Sequence, residues 1–156
     1  MNFYGISLCL QNKTKDYYMK IYFAGSISGG RADVGFYKEL ISYLKNYGEV
    51  LTEFIGDDSL LVTGETNVSD KQIHDRDLDW LFKADVLVAE VSTPSLGVGY
   101  EIGRSIENDK NVLCLYKQKE GKRLSAMIAG CDTIQTERYS DLENAKAIIH
   151  RFFESL

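Results

Sequence analysis

Two carboxylates stand out in this chain for the chemistry their positions allow. Glu101 closes the stretch Pro-Ser-Leu-Gly-Val-Gly-Tyr-Glu, residues 94–101, which follows the apolar run Val86-Leu87-Val88-Ala89 and leads into a helical pattern. The order predicts a strand, a tight loop holding the only proline, and a helix that opens with an acid in its first turn. Gly97 and Gly99 let the backbone approach a ligand closely. Unpaired N–H groups and the positive end of the helix dipole favour a bound anion there and keep Glu101 ionised. A charged carboxylate beside an anion pocket suits a nucleophile attacking a sugar phosphate. The same segment also reads as an ordinary helix opening with the acid its dipole prefers.

The second carboxylate is Asp77. At 3.6 residues per turn it shares a stripe with Ile73, Trp80, Leu81 and Ala84, while Asp75 and Asp79 fall on a solvated face. An inward carboxylate costs free energy unless it is paired or used. It is therefore a functional acid, or else a buried cap or ion-pair partner of a lysine or arginine. Tyr22 sits in the first apolar run, where a core role is the default, yet near the strand's end its hydroxyl could reach a ligand. Glu90, at the end of a later run, is a ligand contact or a residue of the sheet rim.

A second glycine- and serine-containing loop, Gly25-Ser26-Ile27-Ser28-Gly29-Gly30, is neither a P-loop nor a dinucleotide fingerprint, which argues against ATP and NAD. Ser26 and Ser28 could offer hydroxyls to a phosphate, with Arg31 nearby. A plain strand–helix connection explains the loop about as well. Residues 123–128, including Ser125, read as an ordinary helix start.

The elements that must position these residues alternate regularly. Apolar, β-branched and aromatic runs at 20–24, 49–54, 85–91, 111–116 and 133–138 predict five strands with helices between them. Phe36, Leu40, Tyr43, Leu44 and Tyr47 form one helical stripe that Gly48 stops. Ser69-x-x-Gln72 and Ser140-x-x-Glu143 look like capping boxes opening two later helices, and 97–108 carries another. Residues 56–68 lack a period and read as a loop, a candidate lid. The expectation is a single α/β domain: a doubly wound, flavodoxin- or Rossmann-like parallel sheet of order 2-1-3-4-5. Ligands then bind at the carboxyl ends of strands one and three, where both glycine-containing loops converge.

Composition narrows the partners. The chain has 156 residues, 44% hydrophobic and 26% charged, with a net charge of −5 and no block of like charge. A nucleic-acid polymer or an anionic membrane would reward basic patches, so neither is the expected partner. Three cysteines (Cys9, Cys114, Cys131) without C-x-x-C spacing point to a reducing compartment such as the cytoplasm. Neither His74 nor His150 has a ligand partner at metal spacing, so a catalytic zinc is not expected. Residues 1–18 are an extension, or precede a native start at Met19; the domain proper runs 19–156.

Together these segments resemble the 2′-deoxynucleoside 5′-phosphate N-hydrolases, within the wider nucleoside 2-deoxyribosyltransferase family. The resemblance rests on Ile21-Tyr22-Phe23-Ala24-Gly25-Ser26 and on residues 73–80, 84–91, 94–104 and 124–128. It implies cleavage of the N-glycosidic bond of a deoxynucleoside monophosphate, without a cofactor. By position it implies Glu101 as nucleophile, Asp77 as the acid/base or leaving-group carboxylate, and Tyr22 as the active-site tyrosine. Ser26 and Ser95 match phosphate-binding serines. Ser125 matches a serine given to the neighbouring subunit's site, which implies a homodimer. Ser28 and Phe54 depart from the mammalian pattern, which has Arg and His there. Base exchange by a deoxyribosyltransferase, hydrolysis of a CMP-type ribonucleotide and a non-catalytic nucleotide-binding module are the alternatives.

Overall fold

The computed structural model describes residues 18–26, 34–52, 55, 68–118 and 121–156. Five strands, β1 (Met19–Ala24), β2 (Gly48–Val50), β3 (Val86–Glu90), β4 (Asn111–Lys117) and β5 (Ile134–Tyr139), form one sheet of order β2-β1-β3-β4-β5. All four pairings are parallel. The helices are α1 (Val34–Leu44), α2 (Asp70–Lys83), α3 (Leu96–Glu107), α4 (Ala126–Ala129) and α5 (Leu142–Glu154). This is the doubly wound order expected from the alternation of the runs.

Alternation along the strands divides the core into two layers. Ile21, Phe23, Val86 and Val88 pack with α1 and α5, whereas Tyr22, Ala24, Leu87 and Ala89 pack with α2 and α3. A parallel sheet covered on both faces needs this double burial, and β3 is buried at all five positions. Tyr22 is thereby aimed at α2 and α3, the helices that carry Asp77 and Glu101.

Several boundaries differ from the sequence expectation, each for a physical reason. From the run at 49–54, β2 pairs as Gly48–Val50, and at Thr52 the hydroxyl takes the place of the ladder. That hydroxyl accepts from the Phe23 N–H at 2.9 Å and donates to the Phe23 carbonyl at 2.7 Å. Helix α1 ends at Leu44, and Gly48 opens β2 rather than stopping the helix. A β-carbon at Gly48 would lie 2.0 Å from the Met19 carbonyl oxygen, so glycine serves close strand approach there. The α1 stripe is centred on Tyr37, Leu40, Ile41 and Leu44, with Phe36, Tyr43 and Tyr47 at its margins. The Ser69–Gln72 capping box is present. The last helix starts one residue later than Ser140 predicts: Asp141 is the cap, accepting from the Asn144 N–H at 2.9 Å.

Candidate active site

Glu101 lies in the second turn of α3, not its first. Ser95 caps the helix through its side chain, accepting from the Val98 N–H at 3.4 Å, and the helix begins at Leu96. Glu101 is thus beyond the first turn, where the dipole's influence is concentrated. Its charge is set by its surroundings instead. Burial pushes the carboxyl up to about 7, Asp77's charge pushes the same way, and a hydrogen bond from Tyr22 opposes them. The expectation that the helix terminus keeps Glu101 fully ionised is therefore corrected.

Tyr22 donates to Oε1 of Glu101 at 2.8 Å. Its phenol is held far above the ordinary tyrosine range, first by burial and then by Glu101, with Asp77 adding to the effect and Arg76 opposing it. Tyr22 therefore acts as a donor at neutral pH, not as a phenolate. Asp77 is partly covered, and Arg76 binds its Oδ1 through Nε at 2.9 Å and through the second guanidinium nitrogen at 2.8 Å. The guanidinium also lies 4.9 Å from the centre of the Trp80 ring. Asp77 is thus both an ion-pair partner of Arg76 and an electrostatic neighbour of Glu101. Tyr22, Asp77 and Glu101 come together from β1, α2 and α3.

The expected phosphate ligands are less uniform. Gly25 and Ser26 follow β1 at its carboxyl end, with Ser26 buried. Ser28, Arg31, Phe54 and the loop 56–67 lie outside the described residues. At the start of α3, the Gly99 N–H donates to the Ser95 carbonyl at 3.1 Å, so the helix itself uses that amide. The Gly97 N–H, in the first turn, is one of the amides for which the helix itself supplies no partner. A β-carbon at Gly99 would meet nothing within 4 Å, so no packing among the described residues demands that glycine.

A groove of about 670 Å³ is bounded by Ser95, Gly99 and Ile102 of α3 and by Leu124, Ser125 and Met127 around α4. Glu101 and Tyr22 do not line it, although they share α3 or its neighbourhood. Ser125 stands at the cap position of α4, yet its side chain caps no amide there, which leaves the hydroxyl for another acceptor or donor. Within one chain Ser95 and Ser125 therefore border the same groove.

Residues 21–142 match the nucleoside 2-deoxyribosyltransferase family. This chain belongs to that family. A Danio rerio relative, named a 5-hydroxymethyl-dUMP N-hydrolase, is 48% identical over 143 residues, covering 88% of this chain and 98% of its own. A Nematostella vectensis relative, provisionally named a 2′-deoxynucleoside 5′-phosphate N-hydrolase, is 51% identical over 142 residues, covering 88% of this chain and 95% of its own. The solved CMP N-glycosidase of Clostridium botulinum is similar in fold, with a TM-score of 0.63 and 18% identity over 85% of this chain and 98% of that one.

Arg76 of this nucleoside 2-deoxyribosyltransferase family member escaped the sequence reading, and Glu90 stands elsewhere than expected. Arg76 was hidden within a charged helix face. Its spacing of four from Trp80, suited to ring stacking, was the available signal. Glu90 is neither at an open rim nor beside Glu101. It is buried on the opposite face of the sheet, among hydroxyls of Tyr37, Tyr139 and Ser92.

Proposed function

We propose that this protein hydrolyses the N-glycosidic bond of 2′-deoxynucleoside 5′-monophosphates, giving a free base and 2-deoxyribose 5-phosphate. The observation that carries the reading is the half-buried Glu101 carboxyl, hydrogen-bonded by Tyr22 and electrostatically coupled to Asp77. The names of the relatives, N-hydrolases of deoxynucleoside 5′-phosphates, support the substrate class.

In the mechanism, the ionised Glu101 attacks the anomeric carbon as the bond to the base breaks. Positive charge developing on the sugar is then stabilised by the carboxylate, and a covalent glycosyl ester forms. The electron pair of the broken bond leaves with the base. Asp77, oriented by Arg76, serves as the acid/base group for base departure and for the water that later cleaves the ester. The Tyr22 hydroxyl holds Oε1, which orients the other oxygen of Glu101 toward the sugar. Ser26, Ser28, Ser95 and the Gly97 amide are the proposed donors to the 5′-phosphate. Gly25 and Gly99 leave room for it to approach. No cofactor takes part in these steps.

The protein acts as a homodimer in this reading, with Ser125 completing the phosphate site of the neighbouring subunit. Leu96 and Met127, 97% and 83% exposed, flank the groove beside Ser125 and support a partner surface there. The catalytic unit spans 19–156, with 1–18 as an extension. No described helix is long and apolar enough to cross a membrane. Cys114 and Cys131, both free thiols, support a reducing compartment such as the cytoplasm.

The decisive experiment supplies deoxynucleotides, ribonucleotides and nucleosides, with and without an acceptor base, and identifies the products. Free base with 2-deoxyribose 5-phosphate is expected from deoxynucleotides, whether or not the acceptor is present. A new nucleoside in place of free base would assign base exchange, and turnover of CMP alone would assign a ribonucleotide glycosidase.

A further inference from the structure

Glu90 is nearly sealed from solvent, at 1% exposure, although it ends β3 just before the loop into α3. Val86 and Val88, four and two residues back, lie in the α1/α5 layer, so Glu90 faces that side and not the Tyr22 side. There its carboxylate accepts from the Tyr139 hydroxyl at 3.0 Å and from the Tyr37 hydroxyl at 3.4 Å. It also accepts from the Ser92 N–H at 3.2 Å and from the Ser92 hydroxyl. The Ser92 oxygen in turn accepts from the Lys117 N–H at 2.7 Å. One carboxylate thus ties α1, β4 and β5 to the first residues of the β3–α3 loop. A buried carboxylate is costly, and a well-packed apolar side chain is often no less stable. The arrangement calls for a purpose other than stability.

Tyr37 extends the cluster across the crevice. Its ring lies so close to Gly25 that a β-carbon there would stand 3.0 Å from Cε2. The same ring packs edge-on against Phe23, with centroids 5.6 Å apart. Tyr37 therefore touches the start of the β1–α1 loop with its ring and the end of β3 with its hydroxyl. We propose that Glu90, Tyr37 and Ser92 form a positioning unit that sets residues 25–26 and 92–95 at the separation a nucleoside 5′-phosphate requires. None of the three touches a reacting atom; they act through Gly25 and through the loop that carries Ser95. The activity side of this inference rests on the nucleotide reading above.

Two variants each remove a single hydroxyl, Tyr37→Phe and Ser92→Ala, and test the unit without opening a cavity. On a deoxynucleoside monophosphate, kcat/KM should fall about tenfold, the scale of one lost hydrogen bond to a charged group, and on the matching nucleoside twofold or less. Glu90→Ala should lose more, and Glu90→Gln should recover most of it. Glutamine keeps an oxygen at the Oε1 position, and its amide can donate to the Tyr37 hydroxyl. Equal losses on both substrates, in step with a fall in Tm, would reduce the cluster to a structural one and overturn the inference. A second readout needs no activity: amide hydrogen exchange in Tyr37→Phe should speed up at Ser92 and at Gly25 and Ser26 together. Faster exchange in one loop alone, or in neither, would also overturn it. If the unaltered protein cleaves no substrate, the functional reading falls while the exchange result still decides the positioning one.

Discussion

The Tyr22 hydroxyl bonds Oε1 of Glu101 at 2.8 Å, joining residues 79 positions apart in sequence. Burial and Asp77 favour the acid form of Glu101, and this bond is the force that favours the carboxylate. With Glu101 near 7, kcat/KM should rise with pH through about 7 as the nucleophile ionises. Tyr22→Phe removes the opposing bond, so the ascending limb should move to higher pH and the rate at pH 7 should fall. A pH profile of both proteins checks this, and an unmoved limb would detach Tyr22 from the charge of Glu101.

The same shift makes a stability prediction of opposite sense. Glu101 ionises near 7 in the fold against an ordinary value of 4.5, so the unfolded chain loses its proton first as pH rises. Its contribution is fully present below 4.5 and is lost between 4.5 and about 7, amounting to about 3 kcal/mol at most. Glu101→Gln, which cannot ionise but can still accept from Tyr22, should therefore be inactive yet melt higher than the parent at pH 8. Near pH 4 the two Tm values should converge. Parallel melting curves across that range would contradict the buried-carboxyl account.

The fold was largely legible because double burial leaves continuous apolar runs, and β3 and β4 show it most plainly. Tyr22 and Asp77 were legible as candidates because strand and helix periods aimed both inward. The start of α3 was misread by one residue, since the run of Leu96 to Gly99 carries no strong propensity and Ser95's capping bond decides the boundary. Glu101, read as opening the helix, is instead its sixth residue and lies beyond the first turn, so burial rather than the dipole sets its charge. Glu90 was opaque for another reason: its donors among the described residues include Tyr37, Ser92 and Tyr139, which no sequence period links.

Two glycines should respond oppositely to alanine. Gly48→Ala drives a β-carbon onto the Met19 carbonyl and must push β2 from β1, so a loss of several degrees in Tm is expected. Gly99→Ala meets no atom and replaces a helical glycine, so stability should hold or rise by up to about 1 kcal/mol. If a phosphate approaches there, nucleotide turnover should nevertheless fall. Thermal melts beside nucleotide kinetics separate the two effects, and full activity in Gly99→Ala would remove that residue from the phosphate site.

Sharing of sites between subunits predicts complementation. Glu101→Gln and Ser125→Ala homodimers should both be impaired, whereas mixed dimers place the two defects in one site and leave the other intact. Mixing followed by subunit exchange should restore up to a quarter of the parental rate, roughly the yield of intact sites under random exchange. No recovery, despite exchange demonstrated by mass measurement, would confine Ser125 to its own chain, where it shares a groove with Ser95.

The phosphate gives the last test. Ser95 has two tasks in this account: it caps α3 through the Val98 N–H, and it offers a hydroxyl donor to the substrate's dianion. A neutral cluster of hydroxyls with first-turn amides holds such a group without many cations, which suits a chain of net charge −5. Binding energy gained at the phosphate, remote from the bond that breaks, fixes the sugar over Glu101 and so raises turnover as well as affinity. Deoxynucleoside monophosphates should therefore be cleaved far faster than the matching nucleosides. Ser95→Ala should shrink that ratio about tenfold by slowing the nucleotide reaction, with the lost cap costing about 1 kcal/mol of stability. Ser95→Thr, which keeps a hydroxyl for both tasks, should restore the ratio and the Tm together. A ratio near one in the parent would show that phosphate contributes nothing to catalysis, and a ratio unchanged in Ser95→Ala would leave Ser95 as a helix cap alone.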